Sequence, residues 1–378
     1  MKRILICLSV TVALLFNLLQ IKTEALSVTA VSARAAILID AQTGQVIFSK
    51  NEKARLPMAS TTKIMTTLLM LESGNLDEEF VVDSNAIHVE GSSMGLTDGD
   101  IVTKRVLCYG MLLPSGNDAA NSSAIKLAGS YEAFADMMNE RARQIGMKNT
   151  HFVTPSGLHD NNHYSTAYDM ALLAREALKN DDFKEICSSK SAKLSFGNPP
   201  YDRWLTNSNK LLSRYPGCIG IKTGFTDEAG RCLVSAVQRD GITLICVTLH
   251  ASDDWNDHVK MYDYGFSMVS KKELCCKDDI YENVVGGTAD SVKLKFEDIP
   301  ACTVVNGKMI SYTYEVIKPA FVYAPVKEDT VIGTVNFYHN GELIETKALV
   351  SAENNEAVIK EQNKSIYRKI IDYLKQYM

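Results

Sequence analysis

The chain has little proline or glycine for its size. Only 9 Pro and 22 Gly stand among 378 residues, of which 46% are hydrophobic and 22% charged. That balance excludes disordered, collagen-like and low-complexity chains. Charge of one sign is also missing as a block: 40 basic and 45 acidic residues are mixed along the chain, for a net charge of −5. No basic patch or stripe marks a nucleic-acid binder. No internal repeat is visible, and no Cys or His pair has the spacing of a zinc site. His159 and His163 are four apart, but Gly157 and Asn161-Asn162 read as a loop. Nor does any apolar run reach the roughly 20 residues of a membrane-spanning helix.

The longest apolar run is at the start. Lys2 and Arg3 precede Ile4 to Leu19, which is interrupted only by Ser9, Thr11 and Asn17, and Thr23-Glu24-Ala25 offers a small residue for cleavage. Residues 1–25 therefore read as an export signal, with a second cut available after Ala33. Cys7 lies within the run and not at its end, which argues against a lipid-attached cysteine. Eight cysteines follow: Cys108, Cys187, Cys218, Cys232, Cys246, Cys275, Cys276 and Cys302. An exported chain with an even count invites disulfides. This one is long enough to need no staples, and Leu244-Ile245-Cys246-Val247 places a thiol among apolar residues, so mostly free thiols are expected.

Three regions follow the signal. Residues 35–50 read as two strands around a turn at Gln42-Thr43-Gly44. Helical patterns cover Ser60–Leu71 (with Gly74 as its stop), Asp118–Leu127, Tyr131–Ile145 (ending at Gly146) and Thr166–Leu178. Cys218–Phe225, Arg231–Gln238 and Ile242–Leu249 read as consecutive strands, and a helix over Trp255–Val269 closes the region. Helices between early and late strands predict one sheet built from both ends of a domain spanning 26–270 and covered by helices. Over 271–358 the chain turns strand-rich. Val292, Leu294 and Phe296 alternate with Lys293 and Lys295, and Asn340-Gly341 is a hairpin signal, so a small all-β domain is expected. Residues 359–378 read as an amphipathic helix, with Ile366, Ile370 and Leu374 on one side and Lys364, Arg368, Lys369 and Lys375 on the other. Such a helix can lie in a membrane interface, or dock on its own β domain.

Three short motifs carry chemistry. Ser60-Thr61-Thr62-Lys63 opens the first helix, Ser115-Gly116-Asn117 precedes another, and Lys222-Thr223-Gly224 lies on a predicted strand. Residues three apart on a helix share a face, so Lys63 can reach the Ser60 hydroxyl. A serine needs a base to become nucleophilic, and burial that disfavours its charge can make a lysine that base. Ile64, Met65, Leu68 and Leu69 make this helix mostly apolar. Each motif alone is weak, and Ser123-Ala124-Ile125-Lys126 is a decoy for the first, inside a helix without a special start. In this order, the trio is the signature shared by β-lactamases and penicillin-binding proteins.

With it, the sequence resembles the low-molecular-weight penicillin-binding proteins that are serine-type D-alanyl-D-alanine carboxypeptidases. The resemblance extends to Gly91-Ser92-Ser93-Met94 with Leu96 and Gly99-Asp100, to Leu113-Pro114 and Asp118-Ala119-Ala120 around the second motif, and to Phe152 with Thr154-Pro155-Ser156-Gly157-Leu158. It continues through Asn207-Ser208-Asn209-Lys210-Leu211-Leu212, Gly220-Ile221 with Phe225-Thr226, and Tyr264-Gly265-Phe266. It implies an α/β (α+β) fold: an antiparallel sheet flanked by helices, a smaller C-terminal all-β domain and a terminal amphipathic helix as membrane anchor. It also implies an acyl-enzyme on Ser60, with Lys63 as proton acceptor, Ser115 as proton relay and Asn117 orienting Lys63 and the substrate amide. Lys222 and Thr223 would bind the substrate carboxylate beside Gly224, and the backbone N–H groups of Ser60 and Phe225 would form the oxyanion hole. The substrate implied is a peptidoglycan stem peptide ending in D-Ala-D-Ala, with β-lactams as covalent inhibitors and no cofactor or metal. The implied location is the outer face of the cell membrane, or secretion.

One stretch departs from the family. Many relatives carry an arginine before the closing helix, where this chain has Asp253-Asp254-Trp255-Asn256, so carboxylate binding is expected to lean on Lys222 and Thr223. Two rival readings are a β-lactamase and an inactive penicillin-sensing or wall-binding protein. The class A β-lactamase glutamate, in a Glu-x-x-Leu-Asn string, is not found here. A sensor would need a spanning relay and an output domain, and neither is evident.

Overall fold

The computed structural model describes residues 26–358 and 366–377; the export-signal stretch 1–25 lies outside the described residues, as do 359–365 and 378 of the terminal segment. The chain divides into two compact units, one running to Ser270 with Val305–Gly307, the other covering the remainder.

In the first unit β1 (Ala35–Asp40) and β2 (Val46–Lys50) form the early hairpin. Two short strands, β3 (Glu79–Val81) and β4 (Ile101–Thr103), pair with each other, as do β5 (Ser191–Gly197) and β6 (Pro200–Thr206). The late strands are β7 (Cys218–Thr226), β8 (Gly230–Arg239) and β9 (Ile242–Ala251). β1 pairs antiparallel with β9, so one five-stranded sheet runs β2-β1-β9-β8-β7. It joins both ends of the domain, as the sequence pattern predicts.

All six residues of β1 are buried, which requires cover on both faces. Ile37 and Ile39 belong to one core with Val247 and Ile245; Ala36 and Leu38 belong to the other with Leu244 and Cys246. This is the period-two alternation of a strand. The first face is covered by α1 (Lys63–Glu72), α2 (Lys104–Leu112), α3 (Asn117–Ala128), α4 (Tyr131–Ile145), α5 (Ala167–Ala177) and α6 (Asp181–Ser188). The second is covered by α7 (Asp254–Met268) through Met261 and Tyr262. The caps follow local chemistry. Ser130 accepts the N–H of Ala133 at the start of α4, and Gly146 ends it at φ 89°, a conformation that suits glycine.

The second unit is β-rich. Strands 280–285, 291–296, 313–317, 322–323, 331–339 and 342–351 form a six-stranded sheet, with Val292, Leu294, Val335 and Phe337 in its core. Asn340 and Gly341 take φ of 50° and 83° at the hairpin tip, as a two-residue turn of the favoured hand requires. The terminal helix α8 (Ile366–Lys375) leaves Ile370, Ile371, Tyr373 and Leu374 exposed. No helix among the described residues is long and apolar enough to cross a membrane. All eight described cysteines are free thiols, five of them buried.

Candidate active site

The trio converges on one cleft of about 760 Å³, lined by Ser60, Ser115, Asn117, Thr223, Gly224 and Phe225 among others. Ser60 sits in a 3₁₀ turn, Ala59–Thr62, that runs directly into α1. The α-helix thus begins at Lys63, three residues later than the sequence pattern suggests. The turn is forced by close neighbours. Ala59 is buried in the left-handed region at φ 48°. A Cβ on Gly224 would lie 3.0 Å from the Ser60 nitrogen, and one on Gly157 would lie 2.0 Å from the Ala59 carbonyl oxygen. Glycine at both positions lets β7 and the loop 153–157 close on the turn from two sides.

Lys63 is wholly buried, and its Nζ has three neighbours: Ser60 Oγ at 2.9 Å, Asn117 Oδ1 at 2.7 Å and the Ser156 carbonyl at 2.8 Å. The Asn117 amide is oriented by its own Nδ2–H, which donates to the Glu90 carbonyl at 2.7 Å. Asn117 Oδ1 and the Ser156 carbonyl can only accept, so two N–H groups of Lys63 are committed to them. What remains at Nζ points at Ser60. Burial, reinforced by the nearby Lys222 charge, drives the Lys63 pKa well below the ordinary lysine value, against a smaller opposing pull from Asp118. That shift favours the neutral amine, the form whose lone pair can take the serine proton.

Ser115 is held at φ 69°. The neighbouring N–H groups lock it there: Gly116 donates to the Gly110 carbonyl at 2.8 Å and Asn117 to the Ser92 carbonyl at 2.7 Å. Among the described residues the Ser115 hydroxyl has no hydrogen-bond partner, and it faces the cleft. Lys222 is buried on β7, where its Nζ donates to the Thr223 carbonyl at 2.9 Å and burial lowers its pKa to about 7. Thr223 Oγ1 is 2.8 Å from Ser208 Oγ. β7 is an edge of the sheet, and exposed Phe225 extends from it.

The remaining motifs hold this cleft together. Asp118 accepts the backbone N–H groups of Met94, Gly95 and Leu96 and the Ser93 hydroxyl, which fixes the loop after Gly91. His163 Nδ1 accepts the N–H groups of Val153 and Thr154, so its proton is on Nε2 and donates to Thr62 Oγ1 at 2.8 Å. Burial keeps that imidazole neutral, with a pKa of about 4; it braces the 153–157 loop against the turn. The decoy Ser123 is buried and donates to the Ala119 carbonyl, and Lys126 lies over the Phe80 ring. Sequence reasoning missed the Ser156 carbonyl as a Lys63 partner, since a main-chain acceptor leaves no residue-type signal. It also missed Arg231, which lines the cleft beside Asp254 and Trp255.

Comparison with known proteins agrees with this geometry. Residues 22–253 match the family described as D-alanyl-D-alanine carboxypeptidase, and residues 270–357 match the penicillin-binding protein 5 C-terminal domain. The chain is 32% identical over 336 residues to D-alanyl-D-alanine carboxypeptidase DacF of Bacillus subtilis, covering 85% of each chain. It is 33% identical to DacC of Escherichia coli, covering 86% of this chain and 85% of that one. Among solved structures, the D-alanyl-D-alanine carboxypeptidase DacD of Francisella tularensis superposes with a TM-score of 0.61 at 28% identity, covering 86% of this chain and 94% of that one. Penicillin-binding protein 5 of Haemophilus influenzae gives 0.62 at 27% identity, covering 86% and 98%.

Proposed function

The chain belongs to the D-alanyl-D-alanine carboxypeptidase family, and from that premise we propose how its residues divide the reaction. The protein is a serine DD-carboxypeptidase acting on peptidoglycan peptides that end in D-Ala-D-Ala, and it binds β-lactams. Ser60 Oγ attacks the carbonyl between the two terminal D-alanines while Lys63 takes its proton. The oxyanion is met by the N–H groups of Ser60 and Phe225, a contribution of about 3 kcal/mol per donor in comparable sites. Ser115 relays the proton to the departing D-alanine nitrogen, leaving the shortened peptide as an ester on Ser60. Water then releases it. Asn117 holds Lys63 and the substrate amide; Lys222 and Thr223 bind the terminal carboxylate, beside Gly224, where β7 stays bare. The observation that carries this reading is the Lys63 Nζ, 2.9 Å from Ser60 Oγ with its two other contacts both acceptors.

Intact-mass spectrometry with benzylpenicillin tests it. A single adduct should persist for many minutes and map to the peptide containing Ser60, not to the one containing Ser123. Rapid drug consumption without a lasting adduct would instead indicate a β-lactamase, and neither adduct nor consumption would leave the trio unassembled.

The substrate's place outside the membrane supports reading residues 1–25 as an export signal, 26–270 as the catalytic domain and 271–358 as the β domain. Residues 359–378 then anchor the enzyme on the outer membrane surface, with exposed Ile370, Ile371 and Leu374 of α8 in the lipid interface. Full-length protein should co-sediment with anionic phospholipid vesicles, and a chain ending at residue 358 should stay in the supernatant. Equal sedimentation of the two would dismiss the anchor.

A further inference from the structure

A second cavity, of about 380 Å³, is lined by residues at the end of β6 and in the single helical turn Leu211–Arg214 that follows it. Three cations line it, Lys190, Lys210 and Arg214, and among the described residues no carboxylate does. All three are exposed, and among the described residues none of their side chains makes an ion pair or a hydrogen bond. Other surface cations of this unit find partners: Lys193 meets Asp202, and Arg105 meets Asp77 and Asp182. Like charges gathered without a counter-charge repel, so an anion in this cavity removes a standing cost.

The walls are fixed by the chain itself. The Asn207 N–H donates to the Lys190 carbonyl at 2.9 Å, and Asn207 Nδ2 donates to the Ser189 carbonyl at 3.0 Å, which ties the two ends of the β5–β6 hairpin together. Asn207 Oδ1 accepts the Asn209 N–H at 2.9 Å, so Asn207 uses all its side-chain polar atoms. Asn209 does not. Its Oδ1 accepts the Leu211 N–H at 3.0 Å, which leaves Nδ2 as the spare donor. Asn209 lines the cavity and is 2% exposed, and its Nδ2 is buried with no partner among the described residues. A buried donor left unpaired is costly, and a ligand acceptor relieves it.

The donors outnumber what a carboxylate can accept. Two ammonium groups, a guanidinium and an amide line one cavity, whereas a carboxylate brings two oxygens. A phosphate monoester brings three terminal oxygens and up to two negative charges. Lysine and arginine both suit it, the first as a point charge and the second as a fork.

We propose that this cavity is a phosphate-binding site, with Lys190, Lys210 and Arg214 as its cationic contacts and Asn209 Nδ2 as its buried donor. The ligand is inorganic phosphate or a phosphate monoester. Of the cleft residues only Lys210 lines both cavities, and the assignment does not depend on the DD-carboxypeptidase reading.

Calorimetric titration of the full chain with inorganic phosphate, and separately with glycerol 3-phosphate, tests this at constant ionic strength. One site with a Kd of about a millimolar or tighter is expected, with acetate at least about 10-fold weaker. The double variant Lys190→Gln/Arg214→Gln should weaken phosphate at least about 10-fold, as loss of hydrogen bonds to a charged group implies. It should leave the melting temperature in phosphate-free buffer and the rate of penicillin acylation unchanged, because neither side chain has a protein partner or lines the cleft. Asn209→Asp keeps the acceptor for Leu211 but puts a carboxylate oxygen where the spare donor stood, and should abolish binding. Tighter binding of glycerol 3-phosphate assigns the site to an ester, and tighter binding of the inorganic ion assigns it to free phosphate. No binding by the wild-type chain, acetate as tight as phosphate, or equal affinity in wild type and the double variant would each overturn the proposal. None of these outcomes touches the enzyme reading, which stands or falls on the penicillin adduct at Ser60.

Discussion

Replacing Lys63 by methionine is expected to slow acylation by benzylpenicillin roughly 10²- to 10⁴-fold, the range for loss of a positioned general base. Methionine is close to lysine in length and leaves the apolar part of the site filled. What it removes is the only basic nitrogen within hydrogen-bond distance of Ser60 Oγ among the described residues. Stopped-flow acylation rates, read beside the melting temperature, distinguish lost chemistry from lost fold.

The pH dependence gives a sharper reading. Lys63 works as a base only when neutral, so the wild-type rate should fall as pH drops below its depressed pKa. In its proposed role Lys222 binds the carboxylate only when protonated, so kcat/KM is expected to fall again as pH rises through about 7. Lys63→Met should erase the acid limb and leave the alkaline one. An acid limb that survives in the variant would assign the base to another group.

Much of this was legible in the sequence where local chemistry decides the outcome. The hairpins joining β7, β8 and β9 show as short strands punctuated by Gly230 and Gly241, and α4 shows as Tyr131–Ile145 ending at Gly146. The helix α2 did not show, because seven of its nine residues are buried and a helix covered nearly all round has no apolar stripe. Gly110 within it also argues against a helix from sequence, yet a Cβ there would lie 2.2 Å from Met94 Sδ. Tertiary packing overrides the propensity cost. The hairpin β5–β6 was passed over although Ala192, Leu194 and Phe196 alternate with Lys193 and Ser195 in β5; its partner β6 is mostly exposed and carries no matching alternation.

The candidate trio divides the same way. Ser60, Lys63, Ser115 and Lys222 are side chains at motif spacing and can be read from types. The Ser156 carbonyl and the Arg231–Asp254 pair are set by loops and strands 23 to 93 residues away from their partners. Neither leaves a local pattern. Residues 253–256, read alone, suggest only a missing arginine; nothing in them announces that Asp254 accepts from Arg231 on β8.

Gly157 is where that non-local packing should have its largest cost. Its φ is +85°, and an added Cβ would fall 2.0 Å from the Ala59 carbonyl oxygen, 2.5 Å from its carbon and 2.8 Å from Thr62 Oγ1. A side chain there pays the left-handed backbone penalty of about 1–2 kcal/mol and about 1–3 kcal/mol for overpacking. The atoms that must yield are the backbone immediately before Ser60. An ångström of displacement at a reacting atom costs about 10²-fold in rate. Gly157→Ala is therefore expected to lower the melting temperature by roughly 5–15 °C and to reduce penicillin acylation at least about 100-fold in the protein that remains folded. Gly146→Ala is the matched control. Its φ of +89° imposes similar backbone strain, but nothing lies within 4 Å of the added Cβ, so it should lower stability by about 1–2 kcal/mol and leave the acylation rate unchanged. If the two variants lose acylation equally, the closure of the 153–157 loop on the nucleophile turn is not what holds Ser60 in place.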